Sequence, residues 1–232
     1  MILAVMQPYF FPYLGYYQLA GSVDHFVFLD DVAFIRRGFI HRNNILLDGA
    51  PHRFTLPVSD LSQNRAINEH CFVGDYRTFL AKLRHAYAHA PHFRGVQDLV
   101  AQVCSRPERN VAVKAADSVR AVFDYLDLPL SCSFASEQPP AGLGGQQRIL
   151  ALCRHFGAER YHNASGGREL YDATVFAEQG VELRFLQPHL RPYTQPGTGF
   201  VPGLSIIDVL MHNPVEVVRS MLADYDLSPA SA

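Results

Sequence analysis

Three things are scarce in this chain, and each closes off a class of function. No charge of either sign dominates: 20 lysines and arginines stand against 22 aspartates and glutamates, with a formal net charge of -2 and a pI near 6.6. That balance offers no broad electrostatic surface for nucleic acid. The cysteines are few (Cys71, Cys104, Cys132 and Cys153) and none forms a CxxC pair, which argues against a zinc knuckle and for reduced, buried thiols. No apolar run approaches the ~20 residues that span a bilayer. The first residues lack the charged and then apolar pattern of a secretory signal, so the expectation is a cytoplasmic protein without a membrane span. What remains is ordinary in amount: 232 residues, 48% hydrophobic, enough for one large domain over residues 1–232 with a sizeable core.

The most unusual stretch comes early. Gln7-Pro8-Tyr9-Phe10-Phe11-Pro12-Tyr13-Leu14-Gly15-Tyr16-Tyr17 follows an apolar run, Ile2 to Val5, that reads as a strand. It precedes a helical run, Tyr16 to Ala20, and a second strand, His25 to Leu29, that ends in Asp30-Asp31. An aromatic loop at the carboxyl end of a strand is where an open parallel sheet binds ligands. The two prolines stiffen it and Gly15 permits close backbone approach. Gln7 and Tyr13 are the expected ligand contacts, with Gly15 and Tyr16 beside them; Phe10 and Phe11 are expected mainly to pack.

A polar cluster follows. Arg36, Arg37 and Arg42 lie with His41, Asn43 and Asn44 around Gly38 and Phe39, and planar guanidiniums suit carboxylate or phosphate. Asp30 and Asp31 precede the cluster; with His41 they are the candidates for a general base. Asp48-Gly49 then marks a hairpin turn between Ile45–Leu47 and Arg53–Val58.

Helical periodicity covers Asp75 to His89, Arg94 to Cys104 and Asn110 to Leu126, a helical insertion around 75–126. His85 and His89 are four apart, but no acidic residue accompanies them, so no metal site is assigned. Pro129 to Phe134 reads as a short strand. The Gly- and Pro-rich 136–145 segment reads as a mobile loop, and Gln146 to Phe156 as a helix closed by Gly157. A strand then runs into Asn163-Ala164-Ser165-Gly166-Gly167, whose position at a strand's carboxyl end makes Asn163, Ser165 and Gly166 candidate anion or substrate contacts. A helix over 168–179 and a strand over 181–185 follow. Ser205 caps an apolar helix in which Asp208 needs a partner, and this helix start makes Ser205 and Asp208 further candidate substrate contacts. A helix over 214–224 and a flexible tail at 226–232 close the chain. The expected class is α/β, a mostly parallel sheet flanked by helices.

The blocks Gln7–Tyr16, Phe34–Asn43 and Leu204-Ser205-Ile206-Ile207-Asp208-Val209-Leu210 together resemble the WbqC-like protein family in order and spacing. The family often carries Trp and Asn where this chain has Phe39 and His41. The resemblance implies a bacterial setting in O-antigen or other polysaccharide biosynthesis, and the glycine-transferase role suggested for the family. It names no proven catalytic residue. Two further readings stand beside a transferase of aminoacyl or acyl groups onto an amino sugar or another small amine. One is an ATP-dependent carboxylate-activating or nucleotidyl-transfer enzyme, although Tyr16 stands where nucleotidylyltransferases carry a histidine. The other is a non-catalytic ligand-binding protein. In every case the partner is a small molecule, and no cofactor is identified.

Overall fold

The computed structural model describes residues 1–139 and 142–230. Eight strands and eight α-helices organise the described residues, beginning with β1 (Ile2–Met6), α1 (Leu14–Gly21) and β2 (His25–Phe28). The chain then leaves the sheet for a hairpin, β3 (Arg42–Leu47) and β4 (Ala50–Thr55), and for helices α2 (Arg77–Tyr87), α3 (Phe93–Ser105) and α4 (Val111–Tyr125). It returns through β5 (Cys132–Phe134), α5 (Gly145–Phe156), β6 (Arg160–Ala164), α6 (Ala173–Glu178) and β7 (Glu182–Pro188). Helices α7 (Ile206–His212) and α8 (Val215–Leu222) precede a last strand, β8 (Tyr225–Pro229).

The main sheet has the order β5-β2-β1-β6-β7-β8. Its first five strands are parallel, and β8 runs antiparallel to β7. From β1 the chain winds outward to β2 and β5, then crosses back to β6 on the other side of β1. The order therefore reverses between β1 and β6. At such a switch point adjacent connections leave toward opposite faces and open a crevice at the carboxyl edge.

Both faces of the sheet are covered, as parallel strands require. The two-residue period of each strand sorts its side chains: Leu3, Val5 and Val27 join Ile149, Leu152 and Phe176 of α5 and α6. Ala4, Phe26 and Phe28 face α1, α4 and α8, through Tyr17, Val119, Phe123 and Leu222. Local signals set the boundaries of the helical insertion. Asn110 caps α4 by accepting from the N–H groups of Ala112 and Val113 at 2.9 and 3.2 Å. Buried Lys114 donates to the carbonyls of Val103 and Arg106 near the end of α3, where a cation is favourable. Gly157 closes α5 at φ 65°, as its position predicts.

Three expectations change. The C-terminal segment is not a tail: Tyr225–Pro229 pairs with β7, and Tyr225 and Leu227 pack on the core; residues 231 and 232 lie outside the described residues. The alternation Tyr-Asp-Leu-Ser-Pro carries too few apolar residues to signal a strand, and Pro229 is tolerated because the strand is an edge. The helix expected over 168–179 is a 3-10 segment (Ser165–Leu170) followed by the shorter α6. Helix α2 stops at Tyr87, so His89 lies beyond it and His85 and His89 do not share a helical face. Of the loop expected over 136–145, Ser136 and Glu137 belong to a 3-10 segment (Ala135–Glu137) and Gly145 opens α5; residues 140 and 141 lie outside the described residues.

Candidate functional site

The aromatic loop leaves β1 and is bent at Phe11, which has φ 43°. For a bulky residue that conformation is strained, and it persists only where neighbours over-determine it. Three remote segments do so. The Phe11 N–H donates to Ser118 Oγ at 2.9 Å. Its carbonyl accepts from Asn43 Nδ2 at 2.9 Å and from Ser205 Oγ at 2.7 Å. The next carbonyl, of Pro12, accepts from the Ile206 N–H at 2.8 Å, and the Ser205 N–H donates to the Asn44 carbonyl at 2.8 Å. Asn43 and Ser205, expected to touch substrate, therefore hold the loop, although Asn43 also reaches the cavity described below.

The bend separates the rings of the stretch. Phe10, Phe11 and Tyr17 are fully buried, and Tyr16 is 3% exposed. Tyr16 stacks near Phe26 and Tyr9, and its hydroxyl donates to the Gln7 carbonyl at 2.9 Å. It is a strut of the loop. Tyr9 and Tyr13 turn outward. With Pro12, Phe39, Asn43, Leu190 and Gly203 they line a cavity of about 300 Å³. Burial raises the pKa of both phenols, and Tyr13 adds to the shift of Tyr9; both stay protonated at neutral pH and can donate. Gln7 is not among the lining residues, but its Oε1 accepts from the Tyr9 hydroxyl at 3.4 Å. Gly15 is needed for this arrangement: a Cβ there would fall 2.5–2.8 Å from atoms of the Tyr13 side chain. In the sheet, β6 lies between β1 and β7, which lead to Tyr9 and to Leu190. The cavity thus sits at the carboxyl edge beside the switch point.

The cavity's other wall is a strap, residues 189–203, between β7 and α7. Asp208, fully buried at the start of α7, fastens it. Its carboxylate accepts from the Tyr87 and Tyr193 hydroxyls and from Gln195 Nε2. Gln195 also accepts from the Val201 N–H at 2.8 Å. Burial first, then the Asp208 charge, holds both tyrosine pKa values far above their usual range. Asp208 has the partner that its sequence position demanded, and spends its acceptors on it.

The remaining candidates lie elsewhere along the edge. Asp30 is 3% exposed and accepts from the N–H and hydroxyl of Ser136 and from Asn68 Nδ2, joining the ends of β2 and β5. Asp31 pairs with buried Arg148 at 2.8 Å. The same Arg148 nitrogen donates to the carbonyls of Ala135 and Gln138. The ring of His41 is buried beside Phe34, 5.2 Å between centroids; burial, then Arg42, lowers its pKa to about 4, so it is neutral at pH 7. None of the three lines the cavity. Asn163 is buried; its Oδ1 accepts from the Ala164 N–H at 2.9 Å, and a Cβ on Gly167 would strike its Nδ2. Ser165 and exposed Gly166 open the 3-10 segment after β6. Arg36 and Arg37 are exposed on a turn, and Arg42 folds back onto the Gly38 carbonyl at 2.7 Å.

Of the lining residues, sequence reasoning singled out Tyr13 and Asn43 and passed over Tyr9, Pro12, Phe39, Leu190 and Gly203. The bracketing Pro196-Gly197 and Pro202-Gly203 pairs were the one signal that residues 189–203 form a built strap. Among the described residues no cluster of three His, Cys, Asp or Glu could hold a metal, no helix is long and apolar enough to cross a membrane, and the four cysteines are free.

Comparison with known proteins gives two matches. The model of the WbqC-like protein family matches residues 7–220, nearly the whole chain. An uncharacterized protein of Mycobacterium tuberculosis is 26% identical over 214 residues, covering 90% of this chain and 92% of the relative. No solved structure matches.

Proposed function

We propose that this chain, which belongs to the WbqC-like protein family, is a cytoplasmic transferase that moves an aminoacyl or acyl group onto an amino sugar or another small amine, in bacterial polysaccharide or secondary-metabolite synthesis. The observation that carries the reading is the cavity at the carboxyl edge, aromatic on one side and closed by the strap on the other. A few placed polar groups in an apolar concavity are what a small-molecule site needs. The donor's carboxylate or phosphate goes to the neighbouring arginines, and Gln7, Tyr9 and Tyr13 orient the reacting carbonyl and the amine.

The lining residues include no carboxylate, histidine, lysine or cysteine. A covalent enzyme intermediate is therefore not part of the proposal. The amine nitrogen attacks the acyl carbon directly, the bond to the leaving group breaks, and the amine's proton leaves to water or to the departing group. The protein contributes proximity and orientation, which alone can account for several kcal/mol of barrier.

That same lining supports a second reading, a protein that binds and presents a ligand without transforming it. The nucleotidyl-transfer reading is weaker, since Tyr16 is buried and its hydroxyl is committed to the Gln7 carbonyl. Incubating the protein with glycyl and acyl donors and amino-sugar acceptors, with mass spectrometry for the new amide, separates the first two. Product formation that Tyr13→Ala abolishes, with the melting temperature nearly unchanged, supports transfer. Ligand-induced stabilisation that depends on Tyr13 but yields no product supports presentation.

A further inference from the structure

The β3–β4 hairpin sorts its side chains by face. Its register sets Arg42 opposite Thr55 and Asn44 opposite Arg53. Arg42 and Arg53 are therefore diagonal neighbours on one face, while Asn43 and Phe54 turn to the interior. Arg53 Nε reaches Asn44 Oδ1 at 3.4 Å. Arg42 Nε donates to the Gly38 carbonyl, which draws its guanidinium against the turn closed by the Gly38 N–H and the Ile35 carbonyl at 3.0 Å. Arg37 stands on that turn.

Arg53 and Arg37 both act on Arg42 as like charges. The Arg42 pKa is lowered first by desolvation, then by Arg53 and Arg37, with no acidic group acting in the other direction. Exposed Arg36, on the same turn, does not figure among those influences. Among the described residues, Arg37, Arg42 and Arg53 take part in none of the ion pairs. Two other cationic pairs of this chain carry their own counter-charge: Arg106 and Arg120 share Asp117, and Arg160 and Arg184 share Glu182. The next residue after Gly38 is Phe39, which lines the cavity and lies 6.2 Å from the Tyr9 ring.

We propose that Arg37, Arg42 and Arg53 hold the phosphate of a phosphorylated small-molecule ligand, a phosphate monoester or diphosphate, whose organic part fills the Tyr9–Tyr13–Phe39 cavity. The inference rests on the cavity being the substrate site. A carboxylate brings one negative charge to three cations, whereas a phosphate ester brings nearly two and a fork of oxygens that matches guanidinium geometry. The adjacent cavity then reads the organic group, and the ligand is bound at both ends.

Inorganic pyrophosphate, titrated calorimetrically at constant ionic strength, tests the face directly. The native protein is expected to bind it. Arg42→Gln/Arg53→Gln is expected to bind at least about tenfold more weakly, Arg42→Lys/Arg53→Lys in between, and Tyr13→Ala like the native protein. Urea melts of each variant show that the fold is retained; both arginines are surface groups, so the lysine pair serves if the glutamine pair unfolds. A nucleoside diphosphate and geranyl diphosphate then show which organic part is preferred, and a gain over pyrophosphate should vanish in Tyr13→Ala. No binding of pyrophosphate, or binding the glutamine pair leaves unchanged, overturns the phosphate assignment and leaves the cavity reading intact. Pyrophosphate binding that the glutamine pair weakens, with no gain from either organic diphosphate, upholds the anion face and counts against the cavity.

Discussion

The carboxyl edge of the sheet has two halves that use polar residues in opposite ways. At the β2–β5 end, Asp30 and Asp31 are turned inward onto Ser136, Asn68 and Arg148. Both carboxylates are held by other groups of the same chain, although Asp31 Oδ1 is buried without a hydrogen-bond partner among the described residues. At the β1–β7 end, beside the switch point, the cavity has no ionised lining group, and Arg37, Arg42 and Arg53 form no ion pair among the described residues. At the end that looks chemically rich the carboxylates are committed within the chain, and at the end that looks merely aromatic a cavity stays open. Charge density alone is a poor guide to a site. What distinguishes it is polar capacity that the fold leaves unspent.

The largest expected effect falls on the closed half. Asp30→Ala leaves the Ser136 and Asn68 donors without their acceptor in a buried place, and should cost about 3 kcal/mol of stability in urea unfolding. Binding in the cavity should follow the folded fraction and nothing more. A folded Asp30→Ala protein that loses ligand affinity outright would break the division.

A smaller effect concerns the buried histidines, which belong to the closed half in kind. The pKa values of His41 and His162 are each lowered from 6.5 to about 4, chiefly by desolvation. Between those values the unfolded chain binds protons that the folded chain does not, so stability rises with pH across that window and is lost as pH falls from 6.5 toward 4. Melting temperature should drop over that range, and His41→Gln should flatten part of the slope. A slope unchanged in His41→Gln would show that His41 does not stay neutral when folded.

The smallest change in stability should have the sharpest consequence at the open half. Gly15→Ala, in a helix, trades a gain of up to about 1 kcal/mol against a Cβ placed 2.5–2.8 Å from the Tyr13 side chain. Net stability should move little, while the displaced ring disturbs the cavity. Titration with whichever ligand the native protein binds should show weakened affinity; unaltered affinity would remove Tyr13's orientation from the site.

Much of the frame was legible in the residues. The strand, aromatic loop, helix and strand at the start, the three insertion helices and Gly157 all follow from periodicity and turn chemistry, because those signals are local. The sequence does not show the structural bonds that several candidate residues make. Asn43, Ser205, Asp208 and Asp30 are polar residues in apolar surroundings, and from sequence such a residue suggests a ligand contact. In the fold each answers an irregular backbone or another buried donor. Ser205 and the Phe11 carbonyl that it serves are 194 residues apart, and no window of sequence reveals that Phe11 adopts a positive φ. Strand β8 was missed because an edge strand needs few apolar residues, and the strap because its order comes from one carboxylate, Asp208.

The clamp on Phe11 also makes the shape of a short motif depend on distant parts of the chain. The bend of the aromatic loop is held by Asn43, Ser118 and Ser205, which lie 32, 107 and 194 residues further along. A chain cut before Ser205 would carry the whole aromatic motif and lack one of the three holds on its bend, so the walls of the cavity belong to residues that no local segment contains together.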